Sequence, residues 1–133
     1  MKERELEILE RIKTTTKRNI LPAENEYERF DAYDDNYIWE IKDRGKYYEN
    51  ILIEFDKFSF NLNYAKIINK YFLYAVAMDD KIYIFNISRL KDYDYKWEWR
   101  EMPKQTEFQE NHKINKFVGY IDIKDCGHTI PIN

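Results

Sequence analysis

Asp31, Glu40 and Lys42 are the residues of this chain whose types and spacing best suit chemistry. They lie in Arg29–Arg44, RFDAYDDNYIWEIKDR, which predicts two strands around a tight acidic turn. With Asp35-Asn36 as the turn, Asp34 faces Tyr37, Tyr33 faces Ile38, Ala32 faces Trp39 and Asp31 faces Glu40. Two carboxylates then oppose each other on one sheet face, and Lys42 shares that face because side chains alternate along a strand. Like charges so placed are unfavourable unless a cation neutralises them. The pattern suits a hard divalent cation and a reaction at phosphate. Asp31 and Glu40 would supply carboxylate oxygens and the Ile41 carbonyl a third. Mg²⁺ is the expected ion, with Mn²⁺ as a substitute. A bound cation acidifies a water and offsets charge on a scissile phosphate. Lys42 beside it would orient or deprotonate that water.

An acid-x-Lys tripeptide is weak evidence alone. It recurs at Asp79-Asp-Lys81, Asp94-Tyr-Lys96 and Asp122-Ile-Lys124. The first of these is a predicted hairpin turn, the second lies in a charged, poorly patterned segment, and the third has no obvious carboxylate partner. Glu40-Ile-Lys42 combines a strand, an opposed acid and an apolar reverse face, read as Phe30 and Ala32 against Trp39 and Ile41. The competing reading is a solvated cross-strand charge cluster, which contributes little.

The elements that must position these residues follow from periodicity. Residues 2–18 predict a helix with an apolar stripe of Leu6, Leu9 and Ile12, joined by Ile8. Glu5 edges that stripe. Strands are predicted over Tyr27–Tyr33 and Tyr37–Arg44, then an extended Tyr47–Phe55 with Ile51, Leu52 and Ile53 buried. Asp56 is the expected N-cap of a second helix near Lys57–Asn69, buried through Phe58, Leu62, Ala65 and Ile68. Tyr71–Met78 and Lys81–Ile87 are apolar on both faces, so they should be central strands. Tyr95–Arg100 alternates as a strand would, Met102–His112 reads as a loop, Lys116–Ile123 as a last strand and Asp125–Asn133 as a tail.

Composition bounds the class. The 133 residues fit one domain, 1–133, with a core over about 2–87 and a β-rich extension over about 88–133. Hydrophobic residues make up 44%, enough for a packed core. The net charge of −3 argues against a protein that coats nucleic acid by charge alone. Phosphate contacts must then come from local clusters: Lys13, Lys17 and Arg18, or Arg29, Lys42, Arg44 and Lys46. A single cysteine, Cys126, rules out a disulfide framework within the chain and suits the cytoplasm. The opening MKERELEILERIK is too charged for a signal peptide. The abundant Lys, Asn, Ile and Tyr suit an AT-rich genome.

The order helix, β-hairpin with Asp then Glu-x-Lys, strand, helix, strand resembles the PD-(D/E)xK nuclease superfamily over roughly Lys2–Ile87. EIKDR, then YENILIEFDKF, a short helix and LYAVAMDDKIYIF look like its small phage-encoded members. There a segment like Ile53-Glu54-Phe55-Asp56-Lys57 leads into the second helix. Met102–Phe108 and the strand after it resemble their C-terminal region. The resemblance implies an α+β restriction-endonuclease-like fold, with helices flanking a mixed central sheet. It also implies metal-dependent hydrolysis of DNA, duplex or branched, by a phage-encoded endonuclease of the host cytoplasm, which would dimerise to cut two strands. Asp31 and Glu40 match the metal ligands and Lys42 the catalytic lysine. Phe30 stands where a proline often precedes the aspartate. A first-helix glutamate contributes in some members; Glu5 fits best, with Glu3 and Glu10 as rivals. Glu54 and Lys57 are possible supporting residues, or a charge pair at the helix entry.

The remaining candidates read more plainly. His112 and His128 are too far apart in sequence to form a local metal pair. Tyr93, Tyr95, Trp97 and Trp99 suit cover for a core better than base stacking. Cys126 has no evident activating group. The alternative function is a catalytically silent nuclease-fold binding protein, such as a phage inhibitor of a host defence protein, whose acidic face meets a basic partner.

Overall fold

The computed structural model describes residues 1–25, 28–91, 95–103 and 113–133. Helix α1 spans Glu3–Thr16 and stops where Lys17 turns left-handed (φ 58°), its N–H donating to the Lys13 carbonyl. Its buried face is Ile8, Leu9 and Ile12; Leu6, expected in the stripe, is 46% exposed.

The central sheet contains β1 (Leu21–Pro22), β2 (Ala32–Tyr33), β3 (Tyr37–Gly45), β5 (Tyr71–Met78), β6 (Lys81–Asn86) and β9 (His128–Pro131), in the order β1-β2-β3-β5-β6-β9. A second sheet joins β4 (Asn50–Glu54), β8 (Lys113–Asp122) and β7 (Glu98–Pro103), with β8 in the middle. The β3–β5 pair is parallel and its neighbours antiparallel, so the central sheet is mixed. Parallel neighbours need a crossover, and here it is β4 followed by helix α2 (Phe55–Ile67).

Alternation along β3 sends Trp39 and Ile41 to the α1 side, where they meet Ile8, Leu9, Ile12 and Ala75. Ile38 goes to the other side, with Phe58 and Ala65 of α2, Phe72 and Val76. Both faces of the sheet are therefore covered, which is why β5 reads as an almost unbroken apolar run. Phe30, expected beside Ala32, packs on the α2 side instead, because regular β2 pairing covers only Ala32 and Tyr33 and the chain before it bends away.

Several boundaries differ from the periodicity. Helix α2 starts at Phe55, following an extended Glu54; Asp56 lies in its first turn rather than capping it. Leu52 is half-buried, since it faces away from Ile51 and Ile53. Ile87 leaves β6 for one 3-10 turn, Ile87–Arg89. Met102 and Pro103 belong to β7, whereas the rest of the expected loop, with His112, lies outside the described residues, as does Tyr93. The expected C-terminal tail contains β9, which pairs with β6 from Ile84–His128 to Lys81–Pro131. Four residues with one buried side chain, Ile130, carry almost no periodic signal; the exposed edge of β6 recruits them.

Candidate active site

The hairpin turns where expected. Tyr33 pairs with Ile38 and Ala32 with Trp39, and the Asp34 N–H donates to the Tyr37 carbonyl at 2.9 Å. Asp34 is an organising centre, beyond the cross-strand pairing that the sequence predicts for it. Its buried carboxylate accepts from Arg18 Nε (2.7 Å) and Nη2 (3.1 Å), the N–H groups of Asn36 and Tyr37, and Trp39 Nε1. Burial pushes its pKa up, but these donors outweigh it and hold the group below the usual carboxylate range. The motif D-x-N-Y after a strand is the signal that could have revealed this Asx-type turn.

Asp31 is reached differently from the direct cross-strand pairing the sequence predicts. Its N–H donates to the Trp39 carbonyl at 2.8 Å, so the regular ladder has already ended. Its side chain then turns along β3, and Oδ2 accepts from the Ile41 N–H at 2.7 Å. That bond replaces a missing strand neighbour for Ile41 and fixes the carboxylate beside Glu40.

Glu40 is 4% exposed. Burial first, and then the charge of Asp31, push its carboxyl up to about 8. Lys57 on α2 partly offsets this, with Nζ 3.2 Å from Glu40 Oε1. Asp31 is raised as well, by burial above all, against the pull of its bond to Ile41. Lys42 shares the cluster. Burial lowers its pKa, helped by repulsion from Lys57 and then Arg44. Lys57 moves the other way: burial pulls it down, and Glu40 outweighs this and raises it.

Glu54 and Lys57 do not pair with each other. Glu54 takes Lys116 of β8, Nζ to Oε1 at 2.9 Å, and is lowered as a result; Lys57 and Lys42 lie close enough to add to that lowering. Glu5 is half-buried on α1, accepts from the Lys2 N–H at 3.2 Å, and lies near enough to raise Asp31. Glu3 and Glu10 are exposed. Lys57 is thus the site neighbour that spacing could not place, since it depends on how α2 packs.

The expected phosphate-binding clusters divide. Arg18 is committed to Asp34, and Arg29 lies over Phe60. Arg44 follows Glu40 and Lys42 on the same face, with Nη2 donating to the Leu52 carbonyl and the Tyr74 hydroxyl. Tyr95 and Trp97 form cover: Tyr95 is buried, and the Trp97 ring lies so close to Gly119 that a Cβ there would meet it at 2.7 Å. Trp99 is 70% exposed. Burial raises the Cys126 thiol, and its Sγ lies 3.1 Å from the His128 carbonyl.

The donor set fits a hard divalent cation. Two carboxylates are held together, desolvated, and both raised, the condition a cation relieves. Among the described residues no third His, Cys, Asp or Glu completes a ligand cluster. Further ligands would therefore be backbone oxygen, water or substrate, a mixture that Mg²⁺ accommodates.

No family model matches the sequence, and no curated protein matches it. Among solved structures the fold is similar to that of Hjc, a Holliday junction resolvase from the archaeal hyperthermophile Archaeoglobus fulgidus. The TM-score is 0.55 at 12% identity, over 98% of this chain and 96% of that one. No helix among the described residues is long and apolar enough to cross a membrane. The chain has an α+β fold of the restriction-endonuclease-like type, a mixed central sheet with a helix packed on each face.

Proposed function

We propose that this protein is a metal-dependent DNA endonuclease, with Asp31, Glu40 and the Ile41 carbonyl as metal ligands and Lys42 as the catalytic lysine. The observation that carries the reading is a Glu40 only 4% exposed, with Asp31 fixed beside it by the Ile41 N–H and Lys57 Nζ 3.2 Å from its carboxylate, an arrangement that raises both acids while burial lowers Lys42. Perturbed groups of opposite type, clustered on one sheet face, mark sites built for chemistry. The metal, Mg²⁺ or Mn²⁺, would supply an acidified water and charge stabilisation at the phosphate.

The chain's own groups do the rest. Asp31 is oriented by the Ile41 N–H, which keeps one of its oxygens engaged with the backbone. Lys57 holds one oxygen of Glu40 and partly offsets its charge. Lys42, with its lowered pKa, holds or takes a proton at Nζ beside the attacked phosphate. Glu5 and Glu54 lie at the margins of the cluster and would support its field. The likeness to a junction resolvase supports branched DNA beside duplex DNA as the proposed substrate. A homodimer would let two sites cut two strands. A phage origin and a cytoplasmic setting complete the proposal.

The net charge of −3 favours the second reading, a silent nuclease-fold protein that binds a basic defence protein of the host. One experiment separates the two. Supercoiled plasmid and four-way junction DNA are incubated with Mg²⁺, Mn²⁺ or EDTA, beside Glu40→Ala and Lys42→Ala. Metal-dependent cutting that both variants lose supports the nuclease. No cutting of any substrate by the unmodified protein sinks it.

A further inference from the structure

We infer that the cleft between the end of β3 and the second sheet binds a backbone phosphate of the nucleic-acid strand next to the one attacked, through Arg44 and Arg100. This rests on the nuclease reading for its choice of ligand. The cleft, of about 190 Å³, is lined by Arg44, Tyr48, Asn50, Leu52, Arg100 and Tyr120. That volume compares with roughly 10–15 Å³ for a single water, so a tetrahedral oxyanion fits.

Its position follows from the strands. Glu40 and Lys42 alternate onto one face of β3, about 6.7 Å apart. Arg44, at a bulge in the β3–β5 register, turns its guanidinium to the same side, where Nη2 meets Tyr74 and the Leu52 carbonyl. Strand β4 lies over that face. Its Leu52 carbonyl accepts from Arg44, and Glu54, two residues on, feels Lys42 and Lys57. The cleft is therefore the next step along the line that begins at Glu40.

Its chemistry selects an anion. Two guanidinium groups line it and no carboxylate does. Among the described residues neither arginine forms an ion pair with a carboxylate, whereas Arg4, Arg18, Lys57 and Lys116 each do. Arg44 Nε is buried without an acceptor among them. An ionised donor left in that state is costly and calls for a partner. Arg100 Nη1 donates to the Tyr120 hydroxyl at 2.8 Å, and that hydroxyl donates to Glu98 at 3.0 Å. The relay ties the exposed guanidinium to the cleft wall. A planar arginine fork matches phosphate oxygens better than an ammonium does. In a chain of net charge −3, such a local pair is where a strand's charge can be met.

The test reads binding without cleavage. Anisotropy of labelled four-way junction and duplex DNA is followed in EDTA across a KCl series, for the unmodified protein, Arg100→Gln, Arg100→Lys and Arg89→Gln. Arg89 is exposed and lies over Tyr71, at the opposite end of β5, so it serves as the control. Arg100→Gln should weaken binding about 5- to 10-fold at low salt and lower the salt slope by about one. Arg100→Lys should restore the slope but only part of the affinity, and Arg89→Gln should change neither. The inference is overturned if the unmodified protein binds no DNA, or if Arg100→Gln loses no more than Arg89→Gln. Cleavage is scored separately with Mg²⁺. A protein that cuts but ignores Arg100→Gln keeps the nuclease reading and loses this one. A protein that needs Arg100 to bind but never cuts does the reverse.

Discussion

Asp34 and Glu40 lie in one hairpin, both almost fully buried, and their surroundings treat them in opposite ways. Asp34 is surrounded by donors from its own turn, from Trp39 and from Arg18, and its pKa falls. Glu40 has Lys57 on one oxygen and a second carboxylate close by, and its pKa rises to about 8. A structural carboxylate fills its lone pairs from within the chain. The proposed metal ligand, with one lysine as its side-chain donor, lacks that full set. The hairpin thus uses one acid to set its shape and leaves the other raised beside a second carboxylate.

The sharpest way to break this contrast is to remove each acid in turn. Under the proposed nuclease function, Glu40→Gln should cost DNA cleavage about 10³-fold or more, since the proposed metal ligand would be lost with its charge. Its unfolding midpoint in urea near neutral pH should stay level or rise, because glutamine is neutral without the proton uptake that folding asks of Glu40. A large fall in stability would show Glu40 to be structural, like Asp34.

Asp34→Ala should do the converse. Stranding the N–H groups of Asn36, Tyr37 and Trp39, with the Arg18 guanidinium, should cost about 3 kcal/mol in urea unfolding. Cleavage per folded molecule should stay within a few-fold.

Lys57→Met tests Glu40 from the side of its lysine partner. Removing the ammonium 3.2 Å from Glu40 should tighten Mn²⁺ binding about tenfold by calorimetry, since one positive charge no longer competes. Unchanged or weaker metal binding would mean that Lys57 positions the carboxylate rather than stands in for a cation.

The smallest effect is in pH. Glu40 has a folded pKa of about 8 against an ordinary 4.5, so between those values the native state holds a proton that the unfolded chain has released. Metal-free stability should therefore fall as pH rises from about 4.5 to about 8, and Glu40→Gln should flatten that slope. Asp34 is lowered from 3.8, so its contribution is present above that value and is lost as pH falls through its folded pKa. Thermal melts across both windows, with each variant, separate the two. Metal binding near neutral pH should release protons, read as heats that differ between buffers.

Much of this was legible in the sequence wherever the signal is local. The alternation of Ile38 to Lys42 and the Asp35-Asn36 turn depend on a few adjacent residues, so they placed Glu40 and Lys42 on one face and set the Ala32–Trp39 pairing. The reading of β5 as a central strand came from composition alone and holds for the same reason. What failed was what local pattern does not encode. Phe30 left the face expected of it because the strand before the turn is short. Strand β9 formed because β6 offered an edge.

By itself, then, the sequence determined which residue types share a strand face, because a pleated strand alternates whatever packs on it. Tertiary structure alone decided which charges meet. Lys57 reaches Glu40 across 17 residues, Arg18 reaches Asp34 across 16, and Lys116 reaches Glu54 across 62. Those contacts depend on where α1, α2 and β8 settle against the core, and that packing separates a carboxylate held low by a full set of donors from one raised beside a second acid.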